Sequence, residues 1–205
     1  MAEAKTASGT KSVLQFKVEL LGVEPPIWRR IQVPESYSFW DLHVAIQDAM
    51  GWRDYHLHAF RVVGSEDVIG IPDEDGDDPL ETKPGWKLKL TEYFTAECPL
   101  AVYEYDFGSS WVHEVRFEGL REAAPDLTYP VCLDGARHRP PEDCGGVEAY
   151  HDLLRVLSDP SDPEHKEKLE WVGGAFDPEQ FEKNEIQFDN PSDRWRMSVG
   201  KGESE

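Results

Sequence analysis

At 205 residues the chain is long enough for one sizeable domain, and its 41 Asp and Glu against 21 Lys and Arg leave a formal charge of −20. That charge repels phosphate backbones and disfavours direct binding to nucleic acid. No apolar run approaches the ~20 residues that a membrane-spanning helix needs, and no apolar signal core opens the chain, so a cytoplasmic protein that does not enter a membrane is expected.

Residues 1–12 are small and polar, and residues 191–205 are charged and aperiodic. Neither segment can bury enough to offset its ordering entropy, which predicts a disordered N-terminus and a flexible tail around a single domain over 13–190. Leu14, Phe16, Val18 and Leu20 alternate with polar neighbours, and Ile27, Arg29, Ile31 and Val33 repeat the pattern after Glu24-Pro25-Pro26, which predicts a hairpin with the prolines confined to its turn. Ser38 is placed to cap a helix with Asp41 three positions on, and Leu42, Ile46 and Ala49 recur at helical spacing until Gly51 stops it. Tyr55 to Val63 reads as a strand, Ile71 to Gly85 as an acidic loop, and Trp86 to Phe94 as a short amphipathic piece. From Tyr129 the chain reads as irregular until Val147, Tyr150, Leu154 and Leu157 mark a helix that ends at Ser158-Asp159-Pro160. Asp162-Pro163 and Asp177-Pro178 each have the form of a cap followed by proline, predicting two more short helices. Strands first and helices last give an α+β fold, mainly an antiparallel sheet or roll, with an early helix packed on it and a helical C-terminal part.

The stretch VYEYDFGSSWVHEVRFEG, from Val102 to Gly119, concentrates ionisable groups on one predicted hairpin. A two-residue turn at Gly108-Ser109 would set Asp106 opposite Trp111, Glu104 opposite His113 and Val102 opposite Val115, all on one face. On that face Glu104, Asp106 and His113 are candidate catalytic residues, an acid and base pair in a cleft. Alternatively they form a half-buried polar network that pins the hairpin register.

Four residues are candidate metal ligands. His56 and His58 are spaced as a His-x-His pair on one strand face, and Cys132 and Cys144, with His138 between them and His151 beyond, supply the elements of a zinc site without a recognised spacing. The three cysteines, Cys98 included, are an odd number in a chain too large to depend on disulfides, which favours free thiols or metal ligation. Asp73, Asp75, Asp77 and Asp78 invite a calcium reading, but the EF-hand template wants Gly where Asp78 stands and Glu where Pro84 stands.

Taken in order, PPIWRRIQVP, LHVAIQDAMGW with HLHAF, YEYDFGSSWVHEV, PPEDCGG and GAFDPEQF make the chain resemble the plasmid pRiA-type open-reading-frame-three-like family, some members of which are labelled transposon resolvase-like. The resemblance runs over about residues 13 to 190 and implies an α+β domain, with a mobile-element association and no implied activity. Two positions depart from the family pattern: Ser109 replaces an acid, and Arg139 replaces a cysteine that often precedes PPEDC. The reading favoured overall is a non-enzymatic interaction module with a basic protein partner and no cofactor. The alternatives are an enzyme using the Glu104/Asp106/His113 face, or an acidic decoy that mimics nucleic acid.

Overall fold

A computed structural model describes residues 12–73 and 81–198. The alternating segments pair as predicted: β1 (Ser12–Leu20) and β2 (Ile27–Pro34) are antiparallel, with Phe16 opposite Ile31 and Val18 opposite Arg29. Helix α1 (Phe39–Met50) follows, started by a capping box between Ser38 and Asp41 and ended by Gly51 at φ 84°, a left-handed conformation that glycine adopts without steric cost. Next come β3 (His58–Val62), β4 (Val68–Gly70), β5 (Lys83–Pro84), the short α2 (Leu90–Tyr93), β6 (Leu100–Tyr105), β7 (Trp111–Glu122) and β8 (Val131–Ala136). Among the described residues the strands form one sheet in the order β5-β4-β3-β6-β7-β1-β2-β8, antiparallel throughout except between β4 and β5. The fold is therefore α+β, as the order of elements implied.

One face of this sheet carries Leu14, Phe16, Val18, Leu20, Ile31, Phe60, Tyr103 and Val115, all buried, and α1 lies against it. Phe39 of α1 meets Phe60 of β3 with ring centroids 5.3 Å apart, an edge-on contact favoured by the ring quadrupoles. The C-terminal part adds α3 (Gly146–Ser158), α4 (His165–Trp171) and α5 (Pro191–Ser198). No helix among the described residues is long and apolar enough to cross a membrane.

Five expectations are corrected. The stretch after Tyr129 is not wholly irregular, because β8 pairs with β2 there; Arg30 pairs with Asp134 and Ile31 with Cys132, so Leu133 is an extra residue that interrupts the alternation of β8. Asp177-Pro178 starts no helix: Asp177 Oδ1 accepts from the Glu179 amide (2.9 Å) in a local turn. The strand expected from Tyr55 begins only at His58. Ser12, placed in the disordered start, is the first residue of β1, while the remainder of that start, residues 1–11, lies outside the described residues together with 74–80 and 199–205. Finally, the tail expected to be flexible from 191 contains α5. Trp195 is wedged between Trp40 (5.0 Å) and Trp86 (4.5 Å), and Arg194 reaches Asp48 and Asp189 at 2.6 Å each. Local aperiodicity could not reveal a segment whose ordering comes from partners more than a hundred residues away.

Candidate functional site

The β6–β7 hairpin does not turn at Gly108-Ser109. Its loop spans residues 106–110, and the left-handed backbone falls on Asp106 (φ 57°) and Ser110 (φ 53°) rather than on glycine. Asp106 tolerates this because its own Oδ1 accepts from the Gly108 amide at 3.1 Å, and its carbonyl accepts from the Ser109 and Ser110 amides. The register is therefore one residue away from the two-residue expectation: Tyr103 faces His113, Tyr105 faces Trp111, and Glu104 faces Val112. A slip of one exchanges the faces of a strand. His113 points into the core with no exposure, while Glu104 lies on the opposite side, accepting from Ser110 Oγ (2.8 Å) and pairing with Arg61 (3.2 Å). Asp106 belongs to the loop, where the His56 ring is 3.8 Å away. Glu104, Asp106 and His113 do not converge on one site.

What α1 and the sheet do bring together is a buried chain of polar groups. The Gln47 Nε2–H donates to the Tyr103 hydroxyl oxygen (2.9 Å), which lies 2.9 Å from His43 Nδ1, and His43 Nε2 lies 2.8 Å from Asp54 Oδ1. A carboxylate can only accept, so the His43 proton is assigned to Nε2 and the Tyr103 hydroxyl donates to Nδ1. Arg194 stands 3.7 Å from the other Asp54 oxygen. His58 stacks on His43, 3.5 Å between centroids and 8° from parallel. Burial, reinforced by the stacked His43 ring, holds His58 well below its usual range, and burial pulls His113 down to about 4. Burial likewise keeps the Tyr103 phenol well above its ordinary value. These are neutral groups locked in a core. Tyr103→Phe should cost about 2–4 kcal/mol in urea unfolding, since it strands the Gln47 amide and His43 Nδ1 without partners; an unchanged midpoint would show that the network does not bear on stability.

The metal candidates part company. His56 belongs to the bend before β3 and meets Asp143 (3.0 Å), whereas His58 faces inward. Cys132 lies on β8, its thiol raised by burial. Cys144 precedes α3, and burial pushes its thiol up to about 11, away from the thiolate that binds metal. Among the described residues no three His, Cys, Asp or Glu side chains are grouped to hold a metal ion. Of the acidic-loop residues, Asp75, Asp77 and Asp78 lie outside the described residues.

Two clefts stand out among the described residues. One, of about 370 Å³, lies between α3 and α4 and is lined by Asp143, Asp152, Glu167, Lys168 and Trp171 together with Ala149 and Leu153. Trp171 is 50% exposed. The other, of about 390 Å³, is lined by Arg29, Met50, Trp52, Arg139, Phe181 and Ile186 among others. Burial, opposed by the Cys132 sulfur and reinforced by Arg139, pulls Arg29 down to about 10.

His43, Asp54 and Arg194 carried no expectation. His43 and Gln47 share the helical spacing of a single face, and a polar pair on a face otherwise committed to burial is the available signal. For Arg194 and Trp195 the signal is a tryptophan inside a charged tail.

Comparison with other proteins places this geometry in a group. The family model described as plasmid pRiA4b ORF-3-like protein matches residues 12–185. A protein of Sinorhizobium fredii, called uncharacterized protein y4hQ, is 37% identical over 166 residues, covering 80% of this chain and 82% of its own. The crystal structure of MM3350 from Methanosarcina mazei Go1, titled a protein of unknown function, superposes with a TM-score of 0.81 at 41% identity, over 88% of this chain and all of that one.

Proposed function

The chain belongs to the plasmid pRiA4b ORF-3-like family, and we propose that this member is a non-enzymatic module that recognises a lysine- or arginine-bearing segment of a protein partner. The observation that carries the reading is the α3–α4 cleft, where three carboxylates, Asp143, Asp152 and Glu167, share the lining with one lysine, Lys168, and a half-exposed Trp171. An aliphatic stem fits against Ala149 and Leu153, while its charged head lies over the indole and between carboxylates. The pairs already present there are surface pairs, Asp152 with Arg155 (2.7 Å) and Asp143 with His56 (3.0 Å). Such pairs contribute only ~0–1 kcal/mol, so an incoming cation can displace them. The net charge of −20 draws a basic partner from a distance, with a rate that falls as salt rises. The separation of Glu104 and Asp106 from the inward-facing His113 supports a binding role over acid–base chemistry on the hairpin.

Fluorescence anisotropy with a labelled lysine-rich peptide provides the test. Saturable binding should weaken about tenfold or more, ~1.4 kcal/mol, in the Asp152→Lys, Glu167→Lys double variant and also in Trp171→Ala. Reversing Glu182 and Glu185, which line the other cleft, should change affinity less than about twofold. Equal losses from both reversals would reduce the binding to diffuse attraction and refute the cleft. Duplex DNA at the same salt should not bind.

A further inference from the structure

The cleft lined by Arg29 and Arg139 has a charge problem that the protein itself does not solve. Arg29 is 4% exposed. Its donors go to four main-chain carbonyls, those of Ala49 (3.0 Å), Trp28 (2.8 Å), Ala136 (2.8 Å) and Arg137 (2.9 Å). Carbonyl dipoles satisfy the hydrogen bonds but supply no net negative charge, and among the described residues no carboxylate lies within ion-pair distance of this guanidinium. Buried charges ordinarily acquire a counter-charge. In a chain with 41 acids against 21 bases carboxylates are in surplus, and Arg30 finds Glu118 (2.8 Å) while Arg137 finds Glu179 (2.8 Å).

Arg139 repeats the pattern at the same cleft. Its Nε–H donates to the Gly51 carbonyl (2.6 Å), and its two terminal nitrogens have no hydrogen-bond partner among the described residues. Asp48, the nearest acid on α1, is committed to Arg194 (2.6 Å) and to the Asp189 amide (2.8 Å). Two cations that make no direct ion pair among the described residues, Arg139 with only the more distant Glu142 acting on its charge, thus share one cavity of about 390 Å³ whose lining also includes Asp48, Glu182 and Glu185, a volume within the range of small-molecule sites. Met50, Trp52, Phe181 and Ile186 provide apolar walls, and the Phe181 ring lies 4.4 Å over the Arg29 guanidinium, closing its face.

We propose that this cleft binds a small organic anion, a carboxylate or phosphate monoester with an apolar body, gripped by the terminal amino groups of Arg139 and stabilised by the buried charge of Arg29 behind it. The planar fork of Arg139 matches the two oxygens of a carboxylate or the edge of a phosphate. Glu182 and Glu185 at the rim oppose a polyanion and leave room for a ligand of low charge.

Calorimetric titration of the full chain with benzoate, with inorganic phosphate and with neutral benzamide, in low-chloride buffer, provides the test. Benzoate or phosphate should saturate below about 10 mM, and benzamide should bind about tenfold more weakly than benzoate or not at all. Benzoate alone would assign the site to carboxylates, phosphate alone to phosphoryl groups. Arg139→Gln, which keeps a donor for the Gly51 carbonyl, should weaken the anion about tenfold or more, while Trp171→Ala at the other cleft should not. Arg29→Met risks the fold, so the proposal stands or falls on Arg139 and on the neutral analogue. Failure of both anions to saturate, equal binding of benzamide, or full affinity in Arg139→Gln would overturn it.

Discussion

Lowering the pH from about 7.5 to about 5 should remove roughly 2 kcal/mol or more of unfolding free energy, because two buried imidazoles refuse the proton that the unfolded chain accepts. In the folded protein burial pulls His113 from 6.5 to about 4, and burial together with the neighbouring His43 holds His58 well below 6.5. Between the unfolded value near 6.5 and the folded value near 4 the unfolded state carries more protons, so stability is complete above that window and lost as pH falls through it. At ~1.4 kcal/mol per unit, His113 contributes ~2 kcal/mol by about pH 5, and His58 adds to the loss in the same direction. A domain of this kind has only ~5–15 kcal/mol to lose. Urea midpoints across the range measure the effect, and His113→Gln should flatten the slope. A profile flat from neutral to about pH 5 would mean that the imidazoles are hydrated.

Gly146→Ala should be among the most damaging single-methyl changes, at about 3 kcal/mol. Gly146 has φ 91°, and an added Cβ would lie 2.6 Å from the Ser109 carbonyl oxygen, in the hairpin loop. Left-handed strain of ~1–3 kcal/mol is joined by overpacking of similar size, because a backbone oxygen cannot step aside as a flexible side chain can. Gly173→Ala is the control: its φ is 92°, but nothing lies within 4 Å of the added carbon. It should cost only ~1–2 kcal/mol, so the difference in melting temperature isolates the contact between the loop and the start of α3. Equal losses would contradict that contact.

Local signals were legible, and long-range ones were not. The Ser38 and Asp41 capping box and the Gly51 stop are contained within fourteen residues, and they define α1 in the structure as they do in the sequence. The β1–β2 alternation is similarly complete in itself, down to Arg29 facing inward and Arg30 outward. The β6–β7 register was another matter. Gly108-Ser109 has the look of a two-residue turn, yet Asp106 takes the left-handed backbone and lengthens the loop, which sends Glu104 out and Tyr103 in. The longer loop thus exchanged the faces of the β6 side chains, while Trp111, His113 and Val115 of β7 stayed inward. Trp195 and Arg194 lie beyond any local argument, since their order comes from Trp40, Trp86 and Asp48. The same holds for the clefts: Asp143 meets Glu167, and Arg29 meets Arg139, only once the chain has folded.

The most direct test of the binding role is amide and indole chemical-shift mapping as the lysine-rich peptide is titrated into isotope-labelled protein. Shifts should concentrate at Asp143, Asp152, Glu167 and the Trp171 indole N–H, which form one cleft, while the amides of Tyr103, His113 and His43 in the sealed core should stay in place. Perturbations spread evenly over the acidic surface, or centred on the β6–β7 hairpin with the Trp171 indole unmoved, would contradict it.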